Sequence, residues 1–187
     1  MSIESALKDV AAALGIDVPS LTKLISFESN FDSLAKNPYS GARGLIQFMN
    51  STARDMGYDS ADDLVNKFPD AESQLRGPVY QYLSKFTPFV EPFPQSLYLS
   101  VFYPAYRYKP ADTAFSEIVR KQNPGINFVG DYVAKVEKKK LKIISLNKYS
   151  VLGFIVPVAA FALAAFYLTF TKETENEQKR LGRCSRS

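Results

Sequence analysis

Residues 151–170 read VLGFIVPVAAFALAAFYLTF, which is 20 consecutive residues without a charged side chain. At a rise of about 1.5 Å per residue, a helix of this length matches a bilayer core of about 30 Å. Tyr149 and Tyr167 lie where aromatic side chains often meet the membrane interface. The alternative is a buried core helix, but such helices are rarely uniformly apolar over this length with polar sequence on both sides. We therefore predict a single transmembrane helix over residues 150–171.

The charge of the chain changes sign ahead of this predicted anchor. Residues 1–134 carry a net charge of −3, whereas residues 135–187 carry +7. This split indicates a globular domain over residues 1–134, a basic juxtamembrane segment over 135–149 and a polar basic tail over 172–187. The juxtamembrane lysines attract anionic headgroups, so a lipid bilayer is an expected partner.

Residue usage excludes several classes of chemistry. The chain contains no His, which rules out Ser-His-Asp and Cys-His mechanisms and any His-ligated metal site within it. The single cysteine, Cys184, cannot form an internal disulfide. The sequence has no metal-binding or nucleotide-binding motif, and we expect neither a metal nor a cofactor.

Apolar residues in the first 134 positions recur mostly at helical spacing. Residues 30–50 are rich in Asn, Ser and Gly and predict a loop or a short hairpin. A mainly α-helical domain follows from this pattern. The predicted helices include residues 2–14, 20–29, 95–103 and 112–120, with a further helix over 70–86 that bends at Gly77-Pro78.

One carboxylate stands at the end of an apolar stripe. Leu21, Leu24, Ile25 and Glu28 lie at helical positions i, i+3, i+4 and i+7, so Glu28 takes the last place on the apolar face. Partial burial raises the pKa of a carboxyl group and makes it a general acid near neutral pH. The alternative is a helix-end Glu that points to solvent. Asp32 is the nearest other acid, and we expect a turn residue there because no helix register places it opposite Glu28.

The surrounding sequence resembles a known family. The combination ESNF, GARGLIQF and STA, all between Glu28 and Ala53, is similar to the soluble lytic transglycosylase branch of the lysozyme superfamily. The later stretches QLRGPVYQYL, LYLSVFYPAYRYKP and NPGINFVGDY resemble the phage version of this domain, found in tail and tape-measure proteins. The resemblance covers about residues 18–133. It implies a lysozyme-like fold, α+β with a small β-hairpin region, followed here by the transmembrane helix.

The resemblance also assigns roles to residues. Glu28 takes the place of the catalytic acid/base, and Ser29 is a candidate hydrogen-bonding support for it. Gly44, Gln47 and Phe48 fall in the segment that lines the glycan groove, where the Gln47 amide would fix the sugar and Gly41 and Gly44 would let the backbone approach it.

The family's A-Y-N motif is altered in this chain. Its tyrosine would fall at Phe102, which cannot donate a hydrogen bond. Tyr103 and Tyr106 are the candidates to replace it in substrate binding, and the alternative is that both belong to the aromatic core.

The activity that the resemblance implies is cleavage of the MurNAc-GlcNAc bond of peptidoglycan by one carboxylate. In lytic transglycosylases the N-acetyl group and the C6 hydroxyl of the muramyl sugar replace a second carboxylate, which gives a 1,6-anhydro product. The residues leave open whether this chain is a lyase or a hydrolysing muramidase.

The flanks of the chain predict its topology. The start, MSIESALKDVAAALG, lacks the basic and then uncharged pattern of a signal peptide, and the anchor has 6 basic residues in the segment before it against 5 after it. We therefore expect the N-terminal domain in the cytoplasm of the producing cell, which contains no peptidoglycan. A phage protein that is packed into the virion and opens the next host's wall during genome entry fits this topology.

Two other functions remain open at this point. One is a non-catalytic structural or pore-forming phage entry protein that keeps the lysozyme-like shape, and the other is a conjugation or secretion-system transglycosylase. Expected partners are peptidoglycan strands, the bilayer and other virion proteins. The tail KRLGRCSRS could contact DNA inside a virion, or it could be a solvated flank of the membrane helix.

Overall fold

The computed structural model describes residues 2–140. The predicted transmembrane helix, the tail and juxtamembrane residues 141–149 lie outside the described residues. The described α-helices are α1 (Ile3–Leu14), α2 (Val18–Glu28), α3 (Asn50–Asp55), α4 (Ala61–Lys67), α5 (Ala71–Gln74), α6 (Tyr80–Ser84), α7 (Gln95–Phe102), α8 (Glu117–Gln122) and α9 (Val129–Glu137). A π-helical turn (Leu75–Val79) joins α5 to α6, and a 3₁₀ turn (Pro104–Tyr106) follows α7.

Local signals at the chain's start place α1 and α2. The Ser2 hydroxyl accepts the Ser5 amide hydrogen, and α1 ends at Gly15, whose φ of 69° few other residues adopt without strain. The Asp17 carboxylate accepts the Ser20 amide hydrogen at 2.7 Å. Both predicted helices are confirmed, and α2 begins two residues earlier than expected because Asp17 caps it with Pro19 in the first turn.

The segment between α2 and α3 pairs with itself only at isolated positions. Within residues 2–140 there is no regular strand, and this segment contains the antiparallel bridges Lys36–Arg43 and Arg43–Phe48. The expected small β-hairpin region is therefore reduced to single bridges. The backbone explains this, because Gly41, Gly44 and Gln47 have φ values of 73°, 75° and 55° and turn the chain before a ladder can extend.

The predicted bend at Gly77-Pro78 is confirmed. Gly77 has non-helical angles (φ −96°, ψ −106°) inside the π-helical turn. A Cβ at this position would lie 2.6 Å from the Phe68 ring, so the absence of a side chain lets α4's end pack against the bend.

The helix predicted over residues 112–120 is partly wrong. α8 begins at Glu117, since Ala114 forms a bridge with Phe128 and the Phe115 amide donates to the Asn127 carbonyl at 2.9 Å. Phe115 is thereby buried at 2 % exposure, and burial of its ring outweighs the local helical preference.

The core joins the two ends of the described chain. α1 packs against α2, the π-helical turn and α6, while α9 packs against both α2 and α7. Tyr98 and Tyr132 are the largest side chains buried in it. Because α9 continues to Glu137, the predicted domain end at residue 134 falls inside this helix.

Among residues 2–140, no one helix has both the length and the apolar character to cross a bilayer. Only α1 and α2 taken together, with a 115° bend between them, satisfy that criterion, and they do so on length and composition alone.

Candidate active site

Glu28 is the last residue of α2, at the end of its apolar face. Leu21, Leu24 and Ile25 are fully buried, which confirms the predicted stripe. The Glu28 side chain is half-buried, so it keeps some contact with solvent. Burial, partly opposed by a hydrogen bond from Tyr132, raises the pKa of Glu28 from 4.5 to about 7. Both the protonated and the charged form of the carboxyl group are therefore accessible near neutral pH.

Tyr132 on α9 provides the hydrogen bond to this carboxyl group. Its hydroxyl donates to Glu28 Oε1 at 2.7 Å, and its side chain is 1 % exposed. Burial and the neighbouring carboxylate raise the pKa of Tyr132 well above its ordinary value, so the phenol keeps its proton. Tyr132 is thus a fixed donor that favours the charged form of Glu28.

Two aromatic rings hold Tyr132 in place. Phe102 stacks on it with ring centres 4.3 Å apart and planes 13° apart, and Phe27 meets it edge-on at 5.6 Å. Phe102, which we predicted at the position of the family's A-Y-N tyrosine, therefore supports the tyrosine that contacts Glu28.

Our sequence reasoning did not select Tyr132. The available signal was the apolar spacing of Val129, Tyr132 and Val136 at i, i+3 and i+7 in the stretch NFVGDYVAKV. A tyrosine in the middle of such a stripe has a hydroxyl that must find a partner in the core.

The expected bond from Ser29 to Glu28 is not formed. The Ser29 hydroxyl donates back to the Ile25 carbonyl at 3.3 Å, as Ser often does at the end of a helix. The next two residues, Asn30 and Phe31, have φ values of 53° and 64°, a conformation that costs about 1–2 kcal/mol for each such residue. This strained turn changes the direction of the chain immediately after Glu28, where α2 ends.

Asp32 has the turn role that we predicted for it. Its Oδ1 accepts the Leu34 amide hydrogen at 2.9 Å, and its own amide donates to the Ser29 carbonyl at 3.0 Å. No hydrogen bond joins it to Glu28, and no other acid within residues 2–140 is bonded to Glu28.

Gly44 lies in the core against a buried glutamine. A Cβ on Gly44 would sit 2.7 Å from Gln74 Oε1 and 3.3 Å from Val65 Cγ2. Gly44 thus permits a close approach of Gln74, while Gly41 has open space where a Cβ would be. The predicted approach of these two glycines to the sugar stays a prediction.

Gln74 fixes the segment between α2 and α3 through three hydrogen bonds. Its Oε1 accepts the Leu45 amide hydrogen at 2.9 Å, and its Nε2 donates to the carbonyls of Ser33 and Phe68, each at 2.8 Å. The side chain is fully buried, so these bonds are sheltered from competing water. Gln74 is a second residue that sequence reasoning missed.

Gln47 and Phe48 have different surroundings. The half-buried Gln47 amide donates from Nε2 to the Gly44 carbonyl at 3.0 Å, which leaves Oε1 without a partner among the described residues. Phe48 is only 2 % exposed and packs edge-on against Tyr82 with ring centres 6.1 Å apart. The substrate roles of both stay predictions, and Phe48 has little surface for a ligand.

Tyr103 and Tyr106 form an aromatic cluster with Phe115. Their ring centres lie 4.8 Å apart, and Tyr106 stacks on Phe115 at 5.1 Å. Both tyrosines are half-buried. Part of each ring is thus engaged in packing, and the rest is accessible for the predicted contact with a sugar.

Comparison with known protein families bears directly on this site. Residues 5–76 match the family model of the transglycosylase SLT domain. The matched range contains Glu28, Ser29, Gly44, Gln47 and Phe48 and supports a lysozyme-like SLT domain, with lytic transglycosylase activity on peptidoglycan as its general function. The two tyrosines after α7 and Tyr132 lie outside the range. No curated protein and no solved structure matched the chain.

The chemistry available at this site is proton transfer. A carboxyl group with a pKa near 7 can give up a proton and take one back at neutral pH. In the described part of the chain, no three acidic or cysteine side chains converge in a group that could hold a metal ion.

Proposed function

We propose that this protein is a virion-associated peptidoglycan lytic transglycosylase that uses Glu28 as its single acid/base. The observation that carries the proposal is the 2.7 Å hydrogen bond from Tyr132 to Glu28, a carboxyl group whose pKa is about 7. Glu28 lies within the residues that match the SLT domain. The substrate is the MurNAc-GlcNAc bond of glycan strands.

The reaction needs one proton to be delivered and one to be removed. Protonated Glu28 gives its proton to the glycosidic oxygen as the bond to the muramyl C1 breaks, with the N-acetyl group stabilising the positive charge at C1. The Glu28 carboxylate then takes the proton of the C6 hydroxyl, whose oxygen bonds to C1. The products are a 1,6-anhydro muramyl end and a free glucosaminyl hydroxyl.

Tyr132 acts between these two proton transfers. Glu28 is negatively charged after it has protonated the leaving group, and the phenol hydrogen bond stabilises that charge where solvent contact is limited. The same bond holds the carboxyl group in one orientation for the return step.

The biological setting is a part of the proposal that rests on sequence. The uncharged span over residues 151–170 and its basic flanks support a single-pass membrane protein with its N-terminal domain in the cytoplasm of the producing cell. The resemblance to phage tail proteins supports packing into a virion with other virion proteins and local opening of the host wall at genome entry.

A non-catalytic entry protein is the second candidate. It is favoured by the packing of Tyr103 and Tyr106 against Phe115, since this engages the aromatic residues expected to replace the family's A-Y-N tyrosine.

Digestion of purified peptidoglycan distinguishes the two. We expect the full chain in mild detergent to release 1,6-anhydro muropeptides, each one water lighter than a reducing end in the mass spectrum. Glu28→Gln should lower the rate by a factor of about 10²–10⁴, whereas Asp32→Asn, the matched acid in the adjacent turn, should not. Release of reducing ends alone would indicate a muramidase, and no release by the wild-type chain would favour the entry protein.

A further inference from the structure

Helices α2 and α9 meet at two polar contacts. At one, the Tyr132 hydroxyl donates to Glu28. At the other, Glu137 forms an ion pair with Lys23. From the first contact to the second, α2 is followed back five residues and α9 is followed forward five residues. The two helices are therefore antiparallel, and the contacts are about 7.5 Å apart along them.

The second contact also ties α9 to α7. The Tyr98 hydroxyl donates to Glu137 Oε1, while Lys23 pairs with Oε2. Tyr98 is fully buried, and Lys23 keeps 27 % of its side-chain surface exposed. Burial works against the charge of Glu137, but the hydrogen bonds from Lys23 and Tyr98 hold the pKa of this carboxyl group below its ordinary value. The two oxygens of the charged Glu137 carboxylate are therefore bonded to side chains on two different helices, α7 and α2.

The start of α9 is fixed by backbone hydrogen bonds from the Val129 amide to the Thr113 carbonyl at 3.0 Å and from the Gly130 amide to the Ala111 carbonyl at 2.8 Å, while the apolar contacts of its later turns define its axial position less strictly. Val129 and Val136 are fully buried, but apolar contacts are not directional and tolerate a small shift along the helix axis. An axial slide of α9 by about 1.5 Å, without rotation of the helix, is enough to break a hydrogen bond of 2.7 Å.

We propose that Glu137 is a positioning residue, which holds α9 in the register that brings the Tyr132 hydroxyl onto Glu28. Its catalytic consequence rests on the proposed function, because it acts through the acid/base of that reaction. The contact itself and its effect on Glu28 do not depend on turnover. The titratable groups around the two contacts are Lys23 and Glu28 on α2, Tyr98 on α7, Tyr132 and Glu137 on α9, and Asp17 beside Tyr98.

The sign of the effect separates positioning from simple electrostatics. Removing the negative charge of Glu137 would by charge interaction alone lower the pKa of Glu28. Loss of register would instead remove the Tyr132 hydrogen bond from the Glu28 carboxylate and raise that pKa. The two explanations therefore predict shifts in opposite directions.

The test is a carboxyl-carbon NMR titration of the full chain in detergent micelles, with the Glu28 signal assigned by its loss in Glu28→Gln. We expect Glu137→Ala to raise the pKa of Glu28 by about half a unit or more, toward the value in Tyr132→Phe. The double variant should show no further rise over Tyr132→Phe. Glu117→Ala is the matched control, because it removes a Glu from an ion pair with Lys121 on the exposed helix α8.

A second variant guards against misfolding. Tyr98→Phe removes one hydrogen bond to Glu137 and changes no charge at neutral pH, and it should raise the pKa of Glu28 by a smaller amount. If Glu137→Ala does not fold, this variant decides alone. An unchanged or lowered Glu28 pKa in a folded variant overturns the proposal.

Turnover gives the last measurement. With peptidoglycan as substrate, Glu137→Ala should lower kcat with little change in KM and move the alkaline limb of the pH profile to higher pH. Glu137→Gln keeps an acceptor for Tyr98, so its kcat and its pH profile should lie between those of Glu137→Ala and the wild type. A raised Glu28 pKa with a wild-type pH profile and kcat would overturn the catalytic consequence. A wild-type chain without activity would refute the proposed function and leave the NMR result to judge the positioning role.

Discussion

At the scale of single residues, Glu28 lies between two opposing influences. Burial disfavours its charge, and the Tyr132 hydrogen bond favours it, with the balance at a pKa of about 7. A surface Glu would be fully ionised at neutral pH and could not act as an acid, while a more deeply buried one without a donor would hold its proton too firmly to act as a base. The surroundings of Glu28 therefore allow it both to donate a proton and to accept one near neutral pH.

The raised pKa of Glu28 has a consequence for folding stability. A carboxyl group whose pKa is 4.5 in the unfolded chain and about 7 in the folded one binds its proton more tightly when folded. The resulting stabilisation is fully present below pH 4.5 and is lost as the pH rises through about 7. We expect Glu28→Gln to be more stable than the wild type at pH 8, by up to about 3 kcal/mol, and similar to it at pH 4.

Denaturant unfolding at the two pH values checks this prediction. Asp32→Asn is the control, since its carboxylate lies in a solvent-exposed turn and forms no bond to Glu28. An equal difference between Glu28→Gln and the wild type at both pH values would contradict the linkage.

At the scale of elements, how well a feature could be predicted depended on how local its cause is. The bounds of α1 follow from Ser2 and Gly15, which are its own neighbours, and sequence alone found them. The start of α8 depends on a bridge between Ala114 and Phe128, and sequence alone misplaced it.

The candidate site follows the same rule. The position of Glu28 was visible in its own helix, but its partner lies 104 residues away on α9. Sequence also predicted that Gly44 lets the backbone approach a sugar, but it gave no sign that Gln74, 30 residues later, packs against this glycine. Periodicity shows which face of a helix is buried and gives no information on which distant side chain meets it.

Gly44 and Gly41 provide a matched pair of substitutions for the segment after α2. Both have positive φ, 75° and 73°, so Ala is strained by about 1–2 kcal/mol at either position. Gly44→Ala would in addition drive a Cβ into Gln74 and disturb its three buried hydrogen bonds. We expect Gly44→Ala to lower the free energy of unfolding by at least about 2 kcal/mol more than Gly41→Ala does, as measured by denaturant titration. Equal losses would mean that Gln74 can move aside at no cost.

At the scale of the whole molecule, the place where the globular domain ends decides which truncations fold. A chain that stops at residue 134 lacks Val136, which is fully buried, and Glu137, which ties α9 to two helices. We expect residues 1–134 to be less stable than residues 1–140 by at least about 2 kcal/mol. Equal denaturation midpoints for the two fragments would show that the end of α9 contributes nothing.

The predicted anchor is tested on the full chain. We expect it to float with lipid vesicles and to resist carbonate extraction, while residues 1–140 stay in the aqueous fraction. Protease added to spheroplasts should leave the N-terminal domain intact if that domain is cytoplasmic. Release by carbonate would contradict a transmembrane segment, and digestion of the domain would contradict the topology.

The separation of Glu28 and Tyr132 along the chain determines when the site can form during synthesis on the ribosome. A ribosome adds about 5–20 residues per second, so the 104 residues between them take roughly 5–20 s to make. During that interval the nascent chain carries the acid without the phenol that favours its charge. The proposed catalytic centre is therefore completed only when α9 has been synthesised, after every other helix of the described domain, and a product terminated before α9 would contain the acid without its hydrogen-bond donor.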